Sequence, residues 1–302
     1  MLLLLRAFGL NDNADKAVKR SIASRKAVRV PALFTLPLPA NVTMETSSIQ
    51  GRSETIVIKK YQPARLNPNR PRVLFMHGGG WLAGGVDTLD HLCASVSHQA
   101  NCLVVSVDYR LSPETPFPGA LEDCDDALSW LASDPSLGPM PAAGIVVMGD
   151  SAGGNLAAAL CVLRAQRGDS TIKRQILLYP PLDATLASES MSINLPGLER
   201  PNIVRMMDMY RGKAELTNPL LSPLFFDNFS ALPPALLITA DIDPIRDDSA
   251  RYAEKLSAAG VHARYLNYPG VIHGYFCMPR VCPSAMEGIT EICKEIMASA
   301  KA

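Results

Sequence analysis

The chain has 302 residues, 48% hydrophobic and 19% charged, with 29 acidic and 29 basic side chains. That length can bury a large core in one α/β domain or two, and the composition excludes a disordered chain. Balanced charge without a long run of one sign gives no footing to a nucleic-acid partner or an anionic membrane.

Met1–Leu5 is an apolar run of five residues followed by Arg6. A signal-peptide core needs about 7–15 apolar residues, so the run reads as a docking helix at the start of the mature chain. No run reaches the roughly 20 apolar residues of a membrane span, and no membrane insertion is expected. A helical stretch around Asp12 to Arg25 precedes a segment with Pro31, Pro37 and Pro39. Strand-like runs follow at Glu54–Tyr61, Arg72–Met76, Cys102–Val107, Ile145–Met148, Gln175–Tyr179, Ala235–Thr239 and Ala263–Tyr268. Most are continuous apolar runs, as in strands covered on both faces. Helical stretches alternate with them at Thr88–Gln99, Leu121–Ala132, Leu156–Arg167, Ile245–Ala259 and Ala285–Met297. That alternation predicts an α/β fold with a mostly parallel twisted sheet flanked by helices.

From about residue 181 to 217 the alternation breaks: no strand is expected, and Met191, Met206, Met207 and Met209 cluster there. Adaptable apolar side chains in an insertion can cover a pocket; the alternative is an extra helix packed at the side. No linker separates two domains. The odd number of cysteines, several in apolar segments, reads as free, buried thiols of a cytoplasmic protein. Cys277 and Cys282 lack the spacing of a zinc site, and no metal is expected. The sequons at Asn41 and Asn228 carry meaning only for a secreted chain.

Gly149-Asp150-Ser151-Ala152-Gly153 is a G-x-S-x-G pentapeptide between a buried strand and an Ala/Leu-rich helix. Such a turn exposes the serine hydroxyl, and the helix start aims N–H groups at negative charge forming there. The alternative is a small-residue turn that packs helix on sheet. A serine nucleophile needs a base, and the base an acid to orient it. Of five histidines, His91 and His98 fall in a helix where surface placement is expected, and His262 at the start of a strand reads as solvated. His77 reads as a brace for its loop. His273, on a Gly-flanked loop beyond the last strand, is best placed as base. Four aspartates follow the strand Ala235–Thr239. Asp247 and Asp248 open a helix, where carboxylates often serve only its dipole; Asp241 suits a turn; Asp243, held extended by the proline after it, is best placed as acid. His77-Gly78-Gly79-Gly80-Trp81 follows the strand Arg72–Met76, and N–H groups of Gly79, Gly80 and Ala152 could hold an oxyanion.

The motifs HGGGW (His77–Trp81), GDSAGGN (Gly149–Asn155), DPIRDD (Asp243–Asp248) and IHG (Ile272–Gly274) together resemble the hormone-sensitive-lipase-like carboxylesterases. Asp108–Glu114, Phe117–Ala120 and Asn218–Pro223 match that family too. The resemblance runs from about Ser53 to the C-terminus and implies an α/β-hydrolase fold. It implies Ser151 as nucleophile, Asp243 as acid, His273 as base, and an oxyanion hole from Gly79, Gly80 and Ala152. Trp81 and Asp150 fall beside the expected substrate pocket. The family uses no cofactor and hydrolyses short- to medium-chain esters under a cap. Cap elements are therefore expected at about residues 1–45 and 181–217, on a catalytic core of about 46–180 and 218–302. Departures are Trp81, Ile245 and Tyr275, where Phe, Leu and Phe are commoner; none touches the triad. The expected partner is a small-molecule ester, and self-association into a homodimer stays open. The rival activities are an amidase or peptidase on the same triad and a non-catalytic receptor, for which a broken triad is expected.

Overall fold

The computed structural model describes residues 19–20 and 22–299. The reading of Met1–Leu5, and most of the helix expected around Asp12 to Arg25, lie outside them; within them α1 covers Ile22–Lys26. The strands are β1 (Val42–Gln50), β2 (Thr55–Pro63), β3 (Arg72–Met76), β4 (Val104–Val107), β5 (Ile145–Asp150), β6 (Ile172–Leu178), β7 (Ala235–Ile242) and β8 (Ala263–Ile272). They form one sheet in the order β1-β2-β4-β3-β5-β6-β7-β8. From β4 to β8 every neighbouring pair is parallel, while β2 pairs antiparallel with both β1 and β4. β1 was not among the sequence expectations. Its run VTMETSSIQ is mostly exposed and polar, as suits an edge strand with one wet face.

The helices α2 (Asp90–Ala100), α3 (Gly119–Ser133), α4 (Ala152–Gln166), α5 (Arg200–Arg211), α6 (Arg246–Ala258) and α7 (Pro283–Ala298) complete the fold. Alternate strand residues face opposite ways, which builds two cores. Val147 and Leu237 join the core under α3, α4 and α6. Val146, Met148, Leu236 and Ile238 join the core under α2 and α7. On α7, Ala285, Ile289, Ile292 and Ile296 follow helical spacing and are fully buried. Truncating one such isoleucine to alanine costs about 2–5 kcal/mol. His91 is also buried in this layer, against the expectation of a surface place. Its Nε2 lies 2.9 Å from the Phe276 carbonyl, which gives the imidazole a partner inside the core.

Parallel pairing decides where the loops emerge. β3 and β5 are neighbours, with Met76 opposite Gly149, so the loop after each leaves the same edge of the sheet. β7 and β8 are also neighbours, with Ile242 opposite Ile272, so Asp243 and His273 follow side by side. The stretch 181–217 stands beyond that edge. Its helix α5 buries Ile203, Met206, Met207 and Tyr210, one face of a 3.6-residue period. The start of the stretch and the chain just past its end are tied to α4: Asn155 Nδ2 donates to the carbonyls of Pro181 at 2.8 Å and Leu221 at 2.9 Å.

Candidate active site

Ser151 sits at the join of β5 and α4 with φ 52° and ψ −120°, a conformation few non-glycine residues adopt. Its N–H donates to the Leu178 carbonyl at 2.8 Å, which pins the turn to β6. The turn is this tight because Gly153 lacks a side chain: a Cβ there would lie 2.0 Å from the Met76 carbonyl oxygen. α4 begins at Ala152, so its N–H is among the first-turn donors with no partner inside the helix.

His273 and Asp243 complete a chain of contacts to this hydroxyl. His273 Nε2 lies 2.9 Å from Ser151 Oγ, and His273 Nδ1 lies 2.7 Å from Asp243 Oδ2. The Asp243 carboxylate is fully buried, and its other oxygen accepts the Ile245 N–H at 3.0 Å. A carboxylate can only accept, so Nδ1 carries a proton and Nε2 is left free to accept one.

The other three aspartates are occupied elsewhere. Asp241 is partly exposed and faces Arg246 at 3.5 Å. Asp247 accepts from Arg246 Nε and from the Ser190 N–H, each at 2.9 Å. Asp248 does more than complement a helix dipole. It is buried, and it accepts the N–H groups of Leu182 and Asp183 at 2.9 and 3.1 Å and the Ser188 hydroxyl at 2.5 Å. Burial pushes its carboxyl up to about 7, against those hydrogen bonds and with the Asp183 charge beside it.

The glycine loop lies across the turn from Ser151. Gly79 has φ 120°, and a Cβ on it would fall 2.1 Å from the Ala83 carbonyl oxygen. Asp150 Oδ1 accepts the Gly78 N–H at 2.7 Å, so the residue before the serine fastens the loop to the serine turn. Complete burial pushes the Asp150 carboxyl up to about 7. His77 is fully buried and stacks on Tyr109 at 4.2 Å; burial pushes it down to about 4, so it is neutral. Its Nδ1 donates to the Gly78 carbonyl at 2.8 Å, the bracing expected of it. A second brace carried no sequence signal. Arg25 of α1 is buried and donates to the carbonyls of Leu82 and Ser112 at 2.8 and 2.7 Å, and it pairs with Glu114.

Ser151, His273, Gly79, Gly80 and Ala152 line one cleft of about 710 Å³, its open mouth included, together with Trp81 and Asp150. The facing wall is apolar: Leu198, Ile203, Met206 and Met207 from the 181–217 stretch, with Ile245. Met206 lies directly over Gly80, where a Cβ would come within 2.5 Å of its sulfur. Trp81 stacks flat on Tyr210 of α5 at 4.3 Å, and Phe117 meets that tyrosine edge-on at 6.0 Å.

Residues 73–277 match the family described by the alpha/beta hydrolase fold. A carboxylesterase of Mycobacterium tuberculosis is 35% identical over 292 residues, 94% of this chain and 90% of that one. An arylesterase of Saccharolobus solfataricus is 32% identical over 280 residues, 89% of each chain. Among solved structures, a hyperthermophilic esterase from the archaeon Pyrobaculum calidifontis superposes with a TM-score of 0.82 at 35% identity. That superposition covers 97% of this chain and 92% of the other.

Proposed function

The chain belongs to the α/β-hydrolase family, in its hormone-sensitive-lipase-like carboxylesterase branch, and is a carboxylic ester hydrolase; on that premise we propose that Ser151, His273 and Asp243 perform the hydrolysis through an acyl-enzyme. As Ser151 Oγ attacks the ester carbonyl carbon, His273 Nε2 takes its proton. Asp243 holds the Nδ1–H tautomer and offsets the charge of the imidazolium. The carbonyl oxygen gains the negative charge, and the N–H groups of Gly79, Gly80 and Ala152 receive it. Collapse breaks the bond to the alcohol oxygen, which leaves with the proton from His273. Water, deprotonated by the same nitrogen, then attacks the acyl carbon and frees the acid and Ser151.

The observation that carries this reading is the unbroken Ser151–His273–Asp243 contact at 2.9 and 2.7 Å. It opens into a cleft that also holds the three proposed oxyanion donors. A receptor that only binds has no use for that contact. The apolar wall from residues 198–207 supports the role of the 181–217 stretch as a cap over the acyl chain. Unbridged thiols at all seven cysteines support a reducing, cytoplasmic setting.

An apolar cleft walled by Leu198, Ile203, Met206 and Met207 favours short- to medium-chain acyl groups. Each buried CH₂ adds about 0.8 kcal/mol until the wall is met. A series of p-nitrophenyl esters in monomeric, non-micellar form tests the proposal. kcat/KM is expected to rise from acetyl to butyryl or hexanoyl and to fall for dodecanoyl, and Ser151→Ala is expected to remove all but a residue of it. A continued rise through palmitoyl, or a jump in rate once substrate forms an interface, would mark a true lipase.

A further inference from the structure

Among the described residues five non-glycine positions have positive φ: Trp81, Asn101, Ser151, Tyr179 and Leu186. Asn101 ends α2 in a left-handed cap. Trp81 and Ser151 line the cleft, and Leu186 lies in the 181–217 stretch. Tyr179 has no such explanation. Its φ is 39°, it is fully buried, and it belongs to no element of the triad. A bulky side chain keeps such a backbone only where its surroundings hold it there, and these outliers gather at functional sites.

What this backbone does is aim a ring. Tyr179 directly follows β6, and its N–H donates to the Ile238 carbonyl of β7 at 2.7 Å. The residue is thus fixed between the strand of the serine and the strand of the acid. From there the ring centroid stands 4.6 Å from that of His273, the planes inclined at 54°. Tyr275 and Phe276 back the ring at 5.8 and 6.0 Å. The Tyr179 hydroxyl has no hydrogen-bond partner among the described residues. Leaving a buried hydroxyl unpaired is unfavourable, so the ring and not the hydroxyl accounts for the placement.

We propose that Tyr179 is a positioning residue whose ring packs on the His273 imidazole and favours the imidazolium formed when Ser151 gives up its proton. The proposal rests on the reading of His273 as the base. An aromatic ring within about 6 Å of a cation attracts it through its quadrupole, more strongly where water is excluded. Among the described residues, Asp243 after β7 and Asp150 at the end of β5 are carboxyl groups that act on His273. Tyr275 and Cys277, in the turn after His273, are pushed up by burial and stay neutral, as does Tyr179 itself.

The sign is fixed by this arrangement. A ring that favours imidazolium lowers the barrier to accepting a proton from Ser151, and it acts in the free enzyme as well as in the transition state. Removing the ring should therefore lower the plateau of kcat/KM and move its acid limb to lower pH. Tyr179→Leu, assayed with p-nitrophenyl butyrate, is expected to lose about 2- to 30-fold on the plateau with the limb moved down. Tyr179→Phe is expected to rescue both. Placing 4-fluoro-, 3,5-difluoro- and 3,4,5-trifluorophenylalanine at this position preserves shape while draining the ring of electron density. Both effects should then grow with fluorination, even where the leucine variant folds poorly. A flat fluorine series, or a loss in Tyr179→Leu with the acid limb unmoved, would reduce the ring to packing and overturn the proposal. His273→Gln in the same assay separates the two readings. If it keeps the acid limb, the base assignment itself falls; if it is inactive while the fluorine series is flat, only the Tyr179 role falls.

Discussion

The two walls of the cleft are built by opposite means. On the catalytic side, strand ends and one helix start come so close that single atoms decide the packing. Gly153 leaves no space for a methyl group against the Met76 carbonyl, nor Gly79 against that of Ala83. Buried side chains fasten the parts together: Asp150 accepts the Gly78 N–H, and Arg25 donates to the Leu82 carbonyl. On the facing side, α5 presents Ile203, Met206 and Met207, flexible side chains held by apolar contact. The difference separates two properties of the enzyme. On the proposed function, the backbone of the first wall sets the reaction, and a few side chains of the second set which esters fit.

Substitutions on the two walls should differ accordingly, and the largest effects belong to the first. Ser151→Ala is expected to lower kcat by about 10⁴- to 10⁶-fold while leaving the melting temperature near that of the parent. Asp243→Asn should cost about 10⁴-fold by favouring the wrong tautomer, against only a few-fold for Asp247→Asn. A comparable loss at Asp247 with folding intact would move the acid there. Gly153→Ala adds one methyl group to the catalytic wall. It should displace Ser151 enough to cost about 10²-fold or more in kcat/KM, with a lowered melting temperature.

Removing far more volume from the facing wall should do less. Met206→Ala is expected to keep kcat for acetyl esters within about threefold and to shift the preferred acyl chain longer. Each CH₂ group of the acyl chain that this wall shields from water is worth about 0.8 kcal/mol. An unchanged chain-length profile would remove Met206 from the substrate wall.

The catalytic wall was also the part the sequence displayed. Its residues sit in short contiguous motifs, and the tight turn demands the same few residue types wherever it occurs. Ser151 therefore stood out by its strand–turn–helix context, and the His77–Trp81 loop, Asp243 and His273 by their positions just after strands together with the family resemblance. α5 was harder to read because Gly197, Pro201 and five charged residues interrupt the run Gly197–Arg211, so its apolar face showed only as a cluster of methionines. Arg25 and Asp248 act through partners far away in the chain, at Leu82, Ser112 and Leu182, and no local spacing encodes such contacts. Tyr179 is invisible for another reason: a backbone angle held by tertiary packing leaves no trace in residue type.

The smallest expected effect concerns the joint between the walls, where Asp248 gathers Leu182, Asp183 and Ser188. Its carboxyl rises from 3.8 to about 7 on folding. The unfolded chain then ionises this group at lower pH than the folded one. Folding stability from this group is therefore lost as pH rises from about 4 to about 7, and no more is lost above that. Asp248→Asn retains an oxygen for the Leu182 N–H and cannot ionise. Its melting temperature should fall less across that interval than that of the parent, with activity on butyryl esters within a few-fold. Equal slopes in the two proteins would show that Asp248 titrates alike folded and unfolded.

The central claim, that Ser151 is the nucleophile of the catalytic wall, is tested most directly by labelling with paraoxon followed by peptide mapping by mass spectrometry. One diethylphosphoryl group per chain is expected, on the peptide that contains Ser151, appearing in step with loss of esterase activity and absent from Ser151→Ala. Labelling of another residue in step with inactivation, or full activity in Ser151→Ala, would contradict the account.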